Sequence, residues 1–156
     1  MTFRSDIKFT FDTRKLDRLA RELRKIPIDV AQVGIFGGEP HKNAEGLTVA
    51  TVAAINEFGS EEQNIPERPF IQVTALTSKF HVPMSQGFKS VLAGTGTTRQ
   101  MIVKSAKKMT QDMKEVIEGF SIPPNSETTI EKKGFDNPLI ETRQMQRSIR
   151  HRIKKR

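Results

Sequence analysis

The sequence predicts an α+β fold: a small, mainly antiparallel sheet packed by one long amphipathic helix and several shorter helices. Apolar and polar residues alternate near the start of the chain, which is the pattern of a half-buried strand, and the segment 148–153 is expected to return as a second strand of the sheet. Over 97–118, apolar residues recur every three or four positions, as in a helix. The 156 residues suffice for one domain. We place that domain at 1–149, with a basic C-terminal tail at 150–156.

Two strands and a helix are predicted within the first 36 residues. Ile7, Phe9 and Phe11 alternate with polar residues and predict a half-buried strand. A helix follows and ends at Pro27. Its apolar stripe consists of Leu16, Leu19, Ala20 and Leu23. The mostly apolar segment 30–36 predicts a second, largely buried strand. The composition of the next ten residues predicts a loop, either a surface connection or an exposed contact arm.

Short helices are expected between residues 48 and 92. Thr48 is a suitable N-cap, and Gly59 stands where a helix would end. The apolar side of that helix carries Val49, Val52, Ala53 and Phe58. Residues 70–80 fit either a helix or a strand, because several of them are β-branched. Pro83 is expected to interrupt this region, with another short helix over 84–92.

The segment 97–118 is the most strongly patterned part of the chain. Its apolar stripe consists of Met101, Ile102, Ala106, Met109, Met113, Val116 and Ile117. Methionines can form adaptable binding surfaces, but the helical spacing favours packing in the core. After this helix, 121–138 is rich in turn residues. Thr142 is expected to cap a helical turn, and 148–153 to return as a strand.

The charge is strongly basic and unevenly distributed. The net charge is +8, which favours polyanions or acidic protein surfaces as partners. The end of the chain lacks acidic residues and carries Arg143, Arg147, Arg150, Arg152, Lys154, Lys155 and Arg156. Such a cluster can bind DNA phosphates without reading the base sequence. A solvated terminus and a contact with an acidic neighbouring protein are the alternatives.

The sequence lacks the residue patterns of known catalytic chemistry. Its three histidines, His41, His81 and His151, have no metal-ligand spacing, and Cys is absent. The segment Gly34-Ile-Phe-Gly-Gly38 lacks the Gly-Lys-Ser/Thr ending of a phosphate loop. No Ser lies in a Gly-x-Ser-x-Gly context. No apolar run approaches the roughly 18 residues that span a bilayer. We therefore expect no enzyme activity, no metal, no cofactor and no membrane partner.

Four segments carry a family resemblance. They are Ala53-Ala-Ile-Asn-Glu-Phe-Gly59, Ile65-Pro-Glu-Arg-Pro-Phe70, Pro123-Pro-Asn-Ser-Glu-Thr-Thr-Ile-Glu-Lys-Lys-Gly134 and Pro138-Leu-Ile-Glu-Thr-Arg-Gln-Met-Gln-Arg-Ser-Ile149. In order and spacing they resemble the tail-completion or neck proteins of long-tailed phages, a family of virion-morphogenesis and minor tail proteins. Glu141 replaces the family's Asp, and Arg143 replaces its Gly. A non-Gly residue disfavours positive φ, so we expect a different local backbone at Arg143.

The resemblance implies a structural virion protein that acts in tail completion and head–tail joining at the neck. It implies a homo-oligomeric ring, with a hexamer as the expected form, that contacts other neck proteins and the tail tube protein. DNA would pass through the channel. The protein would be assembled in the host cytoplasm and located in the virion. The alternative function is that of a small, basic DNA-binding accessory protein.

Two proline-containing segments are the predicted subunit or partner interface. Pro66 and Pro69 each fix φ, so we expect Arg68 to be presented to a carboxylate and Phe70 to an apolar pocket. A core position for Phe70 is an equal alternative. The second segment begins at Pro138. The interface residues are predicted to be Arg68, Pro69, Phe70, Pro138, Leu139 and Ile140. The predicted contacts to DNA or an acidic surface are Arg147, Arg150, Arg152, Lys154, Lys155 and Arg156.

Overall fold

The computed structural model of the chain describes residues 29–155 and six earlier positions, Thr13, Arg14, Asp17, Ala20, Arg21 and Arg24. Five of these six, from Arg14 to Arg24, are helical, as predicted for this region. The strand predicted over 7–11 lies outside the described residues. So do Pro27, Arg156 and the three leucines of the first predicted helix.

The described range 29–155 forms six helices and a two-stranded sheet, which confirms the predicted α+β class. In chain order the elements are β1 (Val30–Ile35), α1 (Val49–Phe58), α2 (Phe70–Thr77), α3 (His81–Leu92), α4 (Thr98–Gly119), α5 (Glu127–Lys133), α6 (Gln144–Ser148) and β2 (Ile149–Lys154). The long helix α4 lies against both strands and against α2, α3 and α6. It is the element around which the described fold is organised.

The strands pair antiparallel, with Val30 opposite Lys154 and Ile35 opposite Ile149. The buried core consists of Val49, Ala53, Phe70, Met113, Ile117, Leu139, Ile140, Met145 and Ile149. The prediction that β1 is largely buried is wrong. The three residues from Val30 are exposed, and the rest of β1 is half-buried. The reason is that only Val33 and Ile35 of this strand pack against the core.

The ends of α1 and α4 follow the sequence predictions. The Thr48 hydroxyl accepts a hydrogen bond of 3.1 Å from the Thr51 amide, and α1 ends at Gly59. Thr97 and Gln100 form a capping box at the start of α4. The predicted stripe of α4 faces inward, with Ile102, Ala106, Met113 and Ile117 buried. Phe58 does not lie on the apolar side of α1 as expected, since its side chain is 68% exposed.

The segment 70–80 begins as a helix, α2, and not as a strand. Pro83 does not interrupt the region, because α3 starts two residues earlier, at His81. Proline is tolerated in the first turn of a helix, where its missing N–H has no intrahelical partner. Gly87 lets α3 approach α4 closely. A Cβ at this position would lie 2.6 Å from the Met101 Cβ.

The sequence prediction missed α5, which lies within the segment treated as turns. Its signals are nevertheless present in the chain. Glu127 lies in the first turn and Lys132 and Lys133 in the last, which suits the helix dipole. Gly134 ends the helix at φ 77°, the left-handed conformation that glycine adopts without strain.

Candidate functional site

The four segments of the family resemblance meet in one region, and Glu57 of the first segment caps the helix that begins at the end of the second. Glu57 is only 2% exposed. Its carboxylate accepts hydrogen bonds from the Ile71 amide at 2.8 Å and the Gln72 amide at 3.2 Å. Because these are free N–H groups in the first turn of α2, a buried negative charge satisfies them and complements the helix dipole. The acid at the end of α1 therefore caps α2.

The turn between these two helices is tightly constrained. The amides and carbonyls of Ser60 and Ile65 pair at 2.8 Å in both directions, and the Arg68 amide donates to the Asn56 carbonyl at 2.7 Å. Gly59 has φ 71°, and a Cβ there would lie 2.9 Å from the Ile65 carbonyl oxygen. Both the conformation and the space require glycine at this position. The turn holds the segment 65–70 against α1.

The Arg68 side chain points inward and reaches the third segment. It is 8% exposed. Its Nε donates to the Pro123 carbonyl and its Nη2 to the Pro124 carbonyl, each at 3.4 Å. Burial lowers the pKa of the guanidinium, and the charge of Asp136 only partly opposes this. Among the described residues, no carboxylate lies within 4.0 Å of the guanidinium.

Lys133, at the end of α5, joins the third segment to the fourth. Its ammonium donates to the Ile140 carbonyl at 3.2 Å and to the Asn137 carbonyl at 3.5 Å. Burial lowers its pKa, and Arg68 lowers it further, while Glu141 and Asp136 act in the opposite direction. Like Arg68, Lys133 has no ion-pair partner among the residues that the structure describes.

The predicted outward presentation of Arg68 and Phe70 does not occur on the folded chain. Phe70 is fully buried in the core, which was the alternative interpretation, and Pro69 beside it is half-buried. The second predicted set, Pro138, Leu139 and Ile140, is buried as well. These residues hold the four segments together within one chain. Pro69 has a φ of −76°, as proline requires, but the side chains of Arg68 and Phe70 face the interior.

A groove of about 1160 Å³ opens where the segments meet. Arg68 and Lys133 are among its lining residues and are the less exposed of its charged groups. Glu61 and Glu67 line it as well, and both are exposed to solvent. Its neutral polar lining includes the side chains of Asn56, Gln63, Asn64 and Asn125. The groove therefore combines one buried cation, Arg68, and one half-buried cation, Lys133, with side-chain amides, a group that can donate and accept hydrogen bonds.

Comparison of the chain with protein-family models, with curated proteins and with solved structures returns no match. Within the described ranges, no group of His, Cys, Asp and Glu side chains is arranged to hold a metal ion. No helix in that same part of the chain combines the length and the apolar character needed to cross a bilayer.

The basic residues at the end of the chain lie on a paired strand. The predicted boundary between the domain and a tail falls inside β2, which runs from Ile149 to Lys154. Along it, exposed Arg150, Arg152 and Lys154 alternate with buried or half-buried residues. The Arg152 guanidinium lies 4.2 Å from the centre of the Phe36 ring. Two further predicted cations, Arg147 and Lys155, are exposed nearby in the chain.

The expectation of an altered backbone at Arg143 is wrong. Its φ is 58°, in the left-handed region that a glycine would adopt. Its guanidinium lies 3.4 Å from the Glu118 carboxylate, and both side chains are largely exposed. The N-terminus of α6 follows directly, and the Thr142 hydroxyl accepts a hydrogen bond from the Gln144 amide at 3.3 Å. The chain thus tolerates local strain to keep this turn.

Sequence reasoning missed the roles of Glu57, which caps α2, and of Lys133, which joins the third segment to the fourth. Glu57 carried a signal: a negative charge in the last turn of a helix is unfavourable to that helix. Such a residue two positions before a glycine turn suggests that its carboxylate serves another element. Lys133 carried no comparable signal, because lysine in the last turn of a helix is favourable in itself.

Proposed function

We propose that this protein is a structural component of a tailed-phage virion, acting in tail completion and head–tail joining at the neck. It would do so through protein–protein contacts in a ring of identical copies. One observation carries the proposal. The four segments that resemble the neck family are spread over residues 53–149, and they contact one another in a single cluster through hydrogen bonds of Asn56, Arg68 and Lys133.

Exposed apolar side chains support a role in subunit contacts. Leu76 at the end of α2 is 86% exposed. On α3, Met84, Phe88 and Leu92 follow one another at four-residue spacing, so they share one side of the helix. They are 37% to 44% exposed. Large apolar side chains that are exposed on one side of a helix are typical of protein–protein interfaces. We propose that a second copy of the chain covers these side chains in the ring.

Mass spectrometry of gradient-purified virions tests the proposal directly. Particles produced by the genome that encodes this chain are expected to contain it, in a constant ratio to the tail tube protein. Deleting the gene is expected to leave heads and tails unjoined, and the wild-type chain supplied separately should restore joining. Virions of normal infectivity that lack the chain would contradict the proposal.

A second candidate function is that of a small DNA-binding accessory protein, and the side chains of β2 favour it. Arg150, Arg152 and Lys154 occupy alternate positions, so they point to the same face of the sheet. Opposite them on β1 lie Gly34, Gln32 and Val30, which carry no charge. The outer face of the sheet is therefore a row of cations that no acid on either strand neutralises.

The salt dependence of DNA affinity distinguishes the two functions. Replacing Arg150, Arg152 and Lys154 together with Gln is expected to reduce the slope of log K against log salt by about 2 to 3, if all three neutralise phosphates. The matched control replaces the exposed Lys104, Lys107 and Lys132, elsewhere on the surface. If both triple variants changed the salt slope equally, DNA binding by this face of the sheet would be ruled out.

A further inference from the structure

Neither cation of the groove, Arg68 or Lys133, forms an ion pair within 4.0 Å among the described residues. Arg and Lys are almost never buried unless they are paired, because removing a charge from water is costly. Arg68 is 8% exposed and Lys133 is half-buried, yet their hydrogen-bond partners are backbone carbonyls. Carbonyl oxygens satisfy N–H groups without neutralising a charge. The charge of Asp136 acts on both cations and that of Glu141 on Lys133, but neither carboxylate pairs with them directly, so both cations keep a place for an anion in contact.

Arg68 also keeps unused hydrogen-bonding capacity. A guanidinium has five N–H donors in a planar fork. Two of them make bonds of 3.4 Å, which is at the long end for hydrogen bonds. The guanidinium lines the groove, and a planar fork is suited to bidentate contact with a carboxylate. The site therefore favours an anion with two oxygens in one plane.

The other residues that line the groove disfavour a ligand that carries further negative charges besides that one anionic group. Glu61 and Glu67 are exposed, line the same groove and repel an extended polyanion such as a nucleic acid backbone. The side-chain amides of Asn56 and Asn125 already donate to the Val52 carbonyl and to the Asp136 carboxylate. Their amide oxygens can accept from the N–H groups of a peptide, and the Asn64 amide can donate and accept. At about 1160 Å³ the groove has room for several residues.

We infer that this groove binds a peptide segment of another protein that carries one Asp or Glu side chain flanked by uncharged residues. The carboxylate would lie between Arg68 and Lys133, and the flanking backbone would bond the Asn side chains. The inference concerns the chemistry of one partner segment. It holds whether or not the chain is a virion protein, since it rests on the groove alone.

Two capped pentapeptides of equal size test the inference on the full-length wild-type chain: Gly-Ser-Glu-Ser-Gly and Gly-Ser-Gln-Ser-Gly. Titration followed by NMR should move the Arg68 Nε–H resonance and the groove amides saturably with the Glu peptide. The Gln peptide is expected to bind about tenfold more weakly, because it forms no charge-assisted pair. This arm needs no variant, so it does not depend on a mutant that folds.

Two lysines that are neighbours in sequence provide a matched pair of variants. Lys133→Met removes a charge from the groove, whereas Lys132→Met removes one from the exposed side of the same helix. Only Lys133→Met is expected to weaken binding of the Glu peptide, by roughly tenfold. Equal binding of the two peptides, binding of neither, or equal effects of the two variants would overturn the inference. Larger Arg68 shifts with an oligothymidylate or with inorganic phosphate would also overturn it, by assigning the groove to phosphate.

Discussion

Helices α2 and α3 are neighbours in the chain and differ in almost every contact they make. In α2, Phe70 and Thr74 are fully buried, and Glu57 caps the first turn. In α3, no residue is buried and no side chain caps the start. Both helices contact α4. The two helices therefore differ in role: α2 is part of the folded core, whereas α3 presents apolar side chains to the solvent.

Substituting a phenylalanine in each helix should show the largest difference. Phe70→Ala is expected to lower the free energy of unfolding by about 3–5 kcal/mol, because it leaves a cavity in the core. Phe88→Ala, on α3, should cost under about 1 kcal/mol, because its side chain is 43% exposed. Urea unfolding in dilute solution measures both. Similar losses for the two variants would mean that α3 is core as well.

The cap of α2 is the next test. Glu57→Gln is expected to destabilise the protein by about 1–3 kcal/mol, since a neutral amide replaces a buried carboxylate that accepts two backbone hydrogen bonds. The control is Glu62→Gln in the exposed loop, which should change stability by less than about 0.5 kcal/mol. Equal behaviour of the two variants would show that the carboxylate of Glu57 does not hold α2.

Asp112 on α4 fixes the junction between α2 and α3. Its Oδ2 accepts hydrogen bonds from the Ser78 hydroxyl at 2.6 Å and the Lys79 amide at 3.2 Å, and its Oδ1 pairs with Lys108. Burial acts to raise its pKa, but the hydrogen bonds and the Lys108 charge outweigh burial and lower it. The unfolded state therefore binds the proton more readily than the folded state does.

It follows that the ionised Asp112 contributes stability that is complete above its ordinary pKa of 3.8 and is lost as the pH falls below that value. Asp112→Asn should flatten the acid side of the stability profile, whereas Glu131→Gln, at an exposed site on α5, should leave it unchanged. Urea unfolding from pH 5 to pH 2 provides the comparison. An unchanged acid slope in Asp112→Asn would contradict the assignment.

The smallest effect is expected at Arg143, outside both helices. A non-Gly residue in the left-handed region costs roughly 1–2 kcal/mol, and glycine costs about 0.5–1 kcal/mol in chain entropy. Arg143→Gly should therefore stabilise the fold by about 0.5–1 kcal/mol. Arg143→Ala keeps the strain and loses only an exposed ion pair, so it should be neutral or slightly destabilising. If Arg143→Ala stabilised the protein and Arg143→Gly did not, the assignment of backbone strain to Arg143 would be contradicted.

Local patterns in the sequence predicted much of the fold. The apolar stripe of α4 and the Thr48 cap and Gly59 end of α1 depend on near neighbours, and both helices formed as expected. Arg68 was predicted to face outward because proline fixes the direction of the backbone, and for Phe70 an outward and a core position were equal alternatives. The direction of a side chain depends on tertiary neighbours instead, such as the Pro123 carbonyl, which is 55 residues away.

The groove could not have been predicted from the sequence. Arg68 and Lys133 are 65 positions apart, and nothing in either segment indicates that they line one cavity. The exposure of the apolar residues of α3 could not be predicted either, because they have the spacing of a buried helix. Contacts between distant segments decide both features, and periodicity describes only one element at a time.

The oligomeric state tests the central claim most directly. Mass photometry of the wild-type chain should give a discrete assembly of about six times the 17.6 kDa chain mass. A double substitution, Leu76→Ser with Phe88→Ser, should shift it to the mass of a single folded chain. A wild-type chain that stays monomeric at every concentration, or a double variant that assembles as the wild type does, would contradict the claim that the apolar surface of α2 and α3 joins subunits.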